Sequence, residues 1–240
     1  MMSLTPQTAP TTIKKTGRIW DLSSRVLRAR VDAVCLALLE AYGEVRLGNP
    51  RESLDDLVYV MLSNRTGPET ARAVFREVKA AFPLWDSLPE SSMSDLLRIL
   101  RPAGLSEVRA RHLIGSLRQL RADFGATTLD PVVGMEQREA EAYLRSLPGV
   151  SEKVAKCVMM YTMGHQVLPV DVHVHRIASR LGWTARKRAD QSHAELESLV
   201  PEPRRFAFHV DCVMHGRLIC KSRKPSCTEC CIRAHCAVGP

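Results

Sequence analysis

The sequence predicts an all-α protein, and three observations carry that expectation. Apolar residues recur at steps of three and four along most of the chain. Proline and glycine fall where those stripes stop. No run alternates apolar and polar residues as a half-buried strand would.

In chain order, Leu22, Val26, Leu27, Val31, Val34, Leu38 and Leu39 form the first amphipathic stripe, and Leu54, Leu57, Val58, Met61 and Leu62 the second. Ala71, Val74, Phe75, Val78 and Phe82 make a third, ended by Pro83, and Leu96, Leu97 and Leu100 a short fourth, closed by Pro102 and Gly104. Helices are then expected over Val108 to Phe124, Glu136 to Leu147, Val154 to Met163, His173 to Leu181, Ala194 to Val200 and Phe206 to Leu218. Residues 1–18, rich in Thr and Pro with Lys14, Lys15 and Arg18, read as a flexible basic arm without the apolar centre of a secretory signal. A helical bundle is expected over 50–168. Segments 19–49 and 169–240 are expected to pair into a second lobe, with a cleft between the two.

Composition narrows the function. The chain has 240 residues, 45% hydrophobic, enough for a substantial core. Lys and Arg outnumber Asp and Glu by 34 to 26, a formal charge of +8 that suits a polyanionic partner. No apolar run is long enough to span a bilayer. A cytoplasmic monomer with no membrane partner is expected, associated with the nucleoid if the source is bacterial.

The most informative stretch runs Leu147-Pro-Gly-Val-Ser-Glu-Lys153 and continues to Val170-Asp171-Val-His173. Pro148 and Gly149 punctuate one helix, and Ser151 suits the N-cap of the next. Backbone N–H groups of Gly149, Val150 and Ser151, at a helix N-terminus, can grip a phosphate without reading sequence. A Pro-Gly turn alone would merely join two helices, but Lys153 lies within a turn of it. A lysine near a positive helix end, partly desolvated, has its pKa pushed down, and the neutral amine can attack a sugar C1′ to form a Schiff base. Asp171 suits an N-cap, and its carboxylate can also stabilise charge developing on the sugar. His173 and His175 do not share a helical face with Asp171, which argues against a metal there.

Cys220, Cys227, Cys230 and Cys236 are spaced C-x6-C-x2-C-x5-C. Four thiolates so close together fit a [4Fe–4S] cluster or a tetrahedral zinc, and spacing alone does not decide. Cys231, next to Cys230, is a conceivable substitute ligand. Arg223 and Lys224, in the loop between the first two cysteines, can present cations to phosphates. Cys35, Cys157 and Cys212 lie in apolar helical stretches and read as core.

These segments, in this order, resemble the endonuclease III family of helix-hairpin-helix DNA glycosylase/AP lyases, from about residue 20 to 236. His215-Gly-Arg-Leu-Ile-Cys220 and Arg223-Lys-Pro-Ser-Cys227 look like the entry to the family's cluster, and Met61-Leu-Ser63 like the start of its DNA-probing loop. The resemblance implies a two-lobed all-α fold, a helical barrel lobe plus an iron–sulfur lobe with a DNA cleft between them. It also implies a [4Fe–4S] cluster rather than zinc. The partner it implies is duplex DNA carrying a damaged base or abasic site. Lys153 would attack C1′ and Asp171 would assist. The family's monofunctional adenine glycosylases lack a lysine here, so Lys153 implies a bifunctional enzyme for oxidised pyrimidines.

Three departures stand out. Ser151 replaces the hairpin's usual second glycine, Arg65, beside Asn64, replaces the probing glutamine, and Pro68 replaces the loop's usual aspartate. Pro68 suits the first turn of the helix that follows. The second wedge is kept as Leu105, with Arg109 expected at the DNA face. The departures leave room for a mismatch, alkylated-base or abasic-site specialist. Charge and cysteines alone would also permit a low-turnover DNA-binding module.

Overall fold

A computed structural model describes residues 25–43, 46–90 and 93–238. The basic arm expected over residues 1–18, and the start of the first stripe, lie outside the described residues. Eleven α-helices and several short 3₁₀ turns are described, and no strand occurs among the described residues. No helix among them is long and apolar enough to cross a membrane.

Contacts divide the chain into two units, one of residues 1–45 with 170–240 and one of residues 46–169. The second unit is built around α2 (Ser53–Ser63), which packs on α8 (Glu152–Thr162), α3 (Pro68–Ala81) and α5 (Ser106–Phe124). Its core is aliphatic, with Leu57, Leu62, Leu100, Leu117 and Leu144 almost fully buried. α4 (Met93–Leu100) rests on α5, and α7 (Gln137–Ser146) on α8. Pro68 takes the first turn of α3, where its missing N–H removes nothing the helix needs. Trp85 anchors the 3₁₀ turn after α3 by donating its indole N–H to Asp55 (2.7 Å). The one-turn helix α6 (Asp130–Val133) has no counterpart among the stripes, because four residues cannot carry a 3.6-residue repeat.

In the other unit α1 (Arg25–Tyr42) and α9 (Val172–Leu181) both pack on α11 (Arg205–Leu218). Val174, Ile177, Ala178 and Leu181 form the buried stripe of α9, and Trp183 stacks on Phe208 with ring centroids 5.7 Å apart. α10 (His193–Leu199) precedes α11. Cys35 and Cys212 are buried here and Cys157 in the other unit, all as core residues.

Candidate active site

The hairpin between α7 and α8 is seated on α5. Ser116 donates its hydroxyl to the Pro148 carbonyl (2.8 Å), and Pro148 lies against Gly115. Gly149 has φ +78°, and a Cβ there would stand 2.5 Å from the His112 ring, so both conformation and space demand glycine. His112, Gly115 and Ser116 share one face of α5 at spacing i, i+3, i+4. That pair of small residues in an otherwise bulky helix was the signal for the seat.

Ser151 is exposed and caps α8, its Oγ accepting from the Val154 N–H (3.4 Å). This is the capping role its position suggested. Val150 corrects an expectation: its side chain is buried and its N–H is spent on the Leu147 carbonyl (3.1 Å), so it shapes the turn and offers no donor to a phosphate. Lys153 is half-buried in the first turn of α8. Lys156, one turn on, is buried between Glu152 (3.5 Å) and Glu141 (3.8 Å), a structural ion-paired lysine. Beneath this helix the carboxyl of Asp56 on α2 is fully buried and pushed up to about 7 by desolvation.

Arg65 and Leu105 lie on two adjoining loops of the same unit. The three non-glycine residues with positive φ among the described residues are Arg65 (59°), Leu105 (52°) and Lys224 (51°). All three are contact residues expected from the sequence, and such conformations persist only where surroundings hold them. For the first two the holder is Arg109. Its Nη1 donates to the carbonyls of Met61 (3.0 Å) and Leu62 (2.9 Å), and its Nε to that of Gly104 (2.8 Å). Its Nη2 donates to the Asn64 carbonyl and the Thr66 hydroxyl (both 2.8 Å) and reaches the Ala103 carbonyl (3.3 Å). A guanidinium has five N–H donors, and burial lowers its pKa. Arg109 is therefore corrected from a DNA contact to a clamp between the two loops. Asn64, Arg65 and Leu105 are exposed.

In the other unit Asp171 caps α9, its Oδ1 accepting from the N–H groups of His173 and Val174 (both 2.8 Å). The His173 ring faces Arg176 (3.1 Å) and His175 meets the Arg186 carbonyl (3.0 Å), so neither ring turns to a shared metal. Arg176 and Arg180, on the next turns of α9, hold the segment that begins the cysteine run. Arg176 donates to the carbonyls of Gly216 (2.8 Å) and Cys220 (2.9 Å), and Arg180 to the Lys221 carbonyl (2.9 Å) and to Cys220 Sγ (3.0 Å).

Cys220, Cys227, Cys230 and Cys236 line one cavity of about 270 Å³, together with Arg180 and Ile219. Cys231 is exposed and does not line it, which removes it as a substitute ligand. No three His, Cys, Asp or Glu among the described residues converge closely enough for a single metal ion. Four thiols lining one cavity are a donor set that fits an iron–sulfur group, as it does a tetrahedral zinc. Arg180 on Cys220 and His215 Nε2 on Cys230 (3.4 Å) supply the hydrogen bonds that thiolate ligands attract. Burial lowers His215 to about 4, so its ring is neutral, with Tyr42 on Nδ1 (2.7 Å). Arg223 and Lys224 are exposed on the loop between the first two cysteines.

Residues 58–202 match the family of HhH-GPD superfamily base excision DNA repair proteins. The chain is 31% identical over 193 residues to an endonuclease III of Treponema pallidum, covering 78% of this chain and 84% of the relative. It is 29% identical over 180 residues to an endonuclease III of Thermotoga maritima, covering 75% and 80%. A protein of Arabidopsis thaliana named as a DNA glycosylase is 30% identical over 173 residues, 71% of this chain, which spans 59% of that longer relative. Among solved structures, a non-covalent endonuclease III–DNA complex superposes with TM-score 0.75 at 21% identity, covering 88% of this chain and 95% of the other. At that identity the likeness speaks for the fold.

Proposed function

Because the chain belongs to the endonuclease III family, within the HhH-GPD superfamily of base excision DNA repair proteins, and is thereby a DNA glycosylase with AP lyase activity, we propose that it releases oxidised pyrimidines from duplex DNA and cuts the strand at the resulting abasic site. The observation that carries this reading is the position of Lys153, in the first turn of α8 directly behind a hairpin in which glycine is obligatory.

The Gly149 hairpin and the N-terminus of α8 grip a phosphate of the damaged strand. Arg223 and Lys224 hold further phosphates. Arg65 and Leu105 enter the stack, Arg65 filling the gap left as the damaged nucleotide swings out, a movement that costs a few kcal/mol and least for a weakly stacked base. Arg65 also has the fork to contact guanine bidentately, so it sets the favoured opposite base.

Lys153 then acts as nucleophile. The Nζ lone pair forms a bond to C1′ as the glycosidic bond breaks and its electrons leave with the base. The substituted nitrogen loses a proton, the C1′–O4′ bond breaks with O4′ taking up a proton, and the ring-opened iminium that forms acidifies C2′; loss of the C2′ proton then expels the 3′ phosphate by β-elimination. Asp171, fixed by its cap bonds, stabilises the positive charge that builds on the sugar. Cys220, Cys227, Cys230 and Cys236 would hold a [4Fe–4S] cluster, which when bound ties the 220–236 loop together. Base excision transfers no electrons, and the chemistry rests on Lys153 and Asp171.

Borohydride trapping on a duplex with an abasic site tests this. A covalent adduct is expected from wild type and none from Lys153→Ala. Equal adduct from both would overturn the assignment. A panel of oxidised, mismatched and alkylated duplexes against all four opposite bases, run on wild type and Arg65→Gln, tests the substrate. Release of oxidised pyrimidines is expected to lead, and the preferred opposite base to change with the substitution.

A further inference from the structure

His215, in the last turn of α11, is fully buried, and both of its ring nitrogens are engaged. Nε2 lies 3.4 Å from Cys230 Sγ, and Nδ1 lies 2.7 Å from the hydroxyl of Tyr42, the last residue of α1. The two rings also meet edge to face, with centroids 5.8 Å apart and planes at 72°. An apolar side chain at 215 would fill α11 without needing any partner, so packing alone does not call for a histidine. The chemistry of a ligating cysteine fixes the direction of both hydrogen bonds. A thiolate only accepts, so Nε2 must carry the ring proton and donate it. A neutral imidazole has one such proton, so Nδ1 accepts and the Tyr42 hydroxyl donates. Tyr42 thereby selects the tautomer that serves Cys230, across 173 positions of sequence to His215. A second side chain of α1 reaches the same run of cysteines. Arg30 donates to the carbonyls of Leu181 (2.9 Å) and of His235, the residue before Cys236.

We propose that Tyr42 and His215 are positioning residues for the cysteine site, a relay from α1 that holds the ligand Cys230 and sets the reduction potential and persistence of the group bound there. The proposal rests on the reading of the four cysteines as ligands of an iron–sulfur cluster. A hydrogen bond to a ligating sulfur draws off negative charge. The reduced cluster carries more of that charge, so the bond favours the reduced state and raises the potential. The same bond fixes the side chain in its ligating orientation and opposes its release. Without the Tyr42 hydroxyl the ring proton is free to move to Nδ1, and the Nε2 lone pair then faces the thiolate.

The test uses the full-length protein purified without oxygen, with iron and acid-labile sulfide counted first. Two quantities are then measured, the rate of iron loss to a ferrous chelator and the midpoint potential of the cluster by film voltammetry. His215→Leu should lose iron about 10–100-fold faster than wild type and shift the potential downward. His215→Gln, whose amide N–H can take the place of Nε2, should recover part of both. Tyr42→Phe keeps the ring contact and loses only the hydroxyl, so it should move both quantities in the same direction by less. A purely structural role for the pair would leave the potential where it is. Tyr42→Phe decides the matter even where His215→Leu does not fold. A Tyr42→Phe protein with the wild-type potential and the wild-type rate of iron loss overturns the proposal. Zinc, or no metal, in the wild-type protein would instead overturn the reading on which it rests.

Discussion

Replacing Arg109 with alanine separates a clamp from a phosphate contact. The guanidinium donates to six oxygens, two in the last turn of α2 and four on the segments that follow it and precede α5. A hydrogen bond from a charged donor contributes about 1.5–3 kcal/mol when its partners are shielded. Arg109 is only half-buried, and carbonyls on exposed loops regain water, so Arg109→Ala should cost roughly 2–4 kcal/mol of stability rather than the sum. The larger effect is on Arg65 and Leu105, which lose what holds them at positive φ. Reordering them on DNA then falls to the binding reaction, and each 1.4 kcal/mol lowers affinity about tenfold. The assay is binding to a duplex with a non-cleavable abasic analogue across a salt series, beside denaturant unfolding. Arg109→Ala should bind more weakly at every salt concentration with the slope of log K against log salt unchanged. Lys224→Ala, an exposed cation, should flatten that slope by about one. Arg109→Lys keeps the charge but not the fork and should resemble the alanine variant. A flattened slope for Arg109→Ala with undiminished stability would refute the clamp and restore a phosphate contact.

Gly149→Ala forces an L-residue to φ +78° and drives its Cβ toward the His112 ring. About 1–2 kcal/mol of backbone strain comes before that clash, and weaker DNA binding with slower adduct formation is expected in the trapping assay. Cys227→Ser should lose iron and the visible absorbance of an iron–sulfur group, whereas Cys231→Ser, outside the cavity, should keep both on metal analysis. Asp56 favours its protonated form in the fold, so its contribution is intact below about pH 4 and lost as pH rises through about 7. Asp56→Asn, free of that loss, should be more stable than wild type at pH 8 by up to roughly 4 kcal/mol, at about 1.4 kcal/mol per pH unit between the two values. Thermal unfolding at pH 4, 6 and 8 should show the gap closing toward acid.

Much of the molecule was legible because its helices announce themselves locally. The stripes from Ala71 to Phe82 and from His173 to Leu181 needed only periodicity and a terminating residue, and Ser151 and Asp171 declared their caps by type and place. What was hidden depends on direction rather than spacing. Arg109 follows the wedge Leu105 closely enough to look like a phosphate contact, yet whether a guanidinium points to solvent or to carbonyls 45 to 48 residues away is settled only by the fold. Val150 offered an N–H that the turn itself consumes. Asp56 sits between the apolar positions Leu54 and Leu57, where an acid reads as the solvated edge of an amphipathic helix. Only the helices packed around α2 turn that edge inward. The seat of the hairpin on α5 joins residues about thirty positions apart, beyond any local pattern.

The costs in this structure are not spread evenly. Three non-glycine residues held at positive φ each cost about 1–2 kcal/mol, and two buried carboxylates, Asp56 and Asp211, add their own burden. None of these lies in the aliphatic packing of α4, α5 or α9, where cheaper alternatives are taken throughout. Arg65 and Leu105 stand on the loops that Arg109 clamps, Lys224 on the loop between two cysteines, Asp56 beneath the helix that carries Lys153, and Asp211 within α11. Selection for stability alone would remove each with a single substitution, and glycine at 65 or leucine at 56 would suffice. Strain kept at such positions is best explained by what it presents, namely side chains held outward at fixed angles and a titratable group held where water cannot neutralise its effect. The same logic makes Ser151 intelligible. It caps α8, its Oγ accepting from the Val154 N–H, and so firms the first turn that carries Lys153.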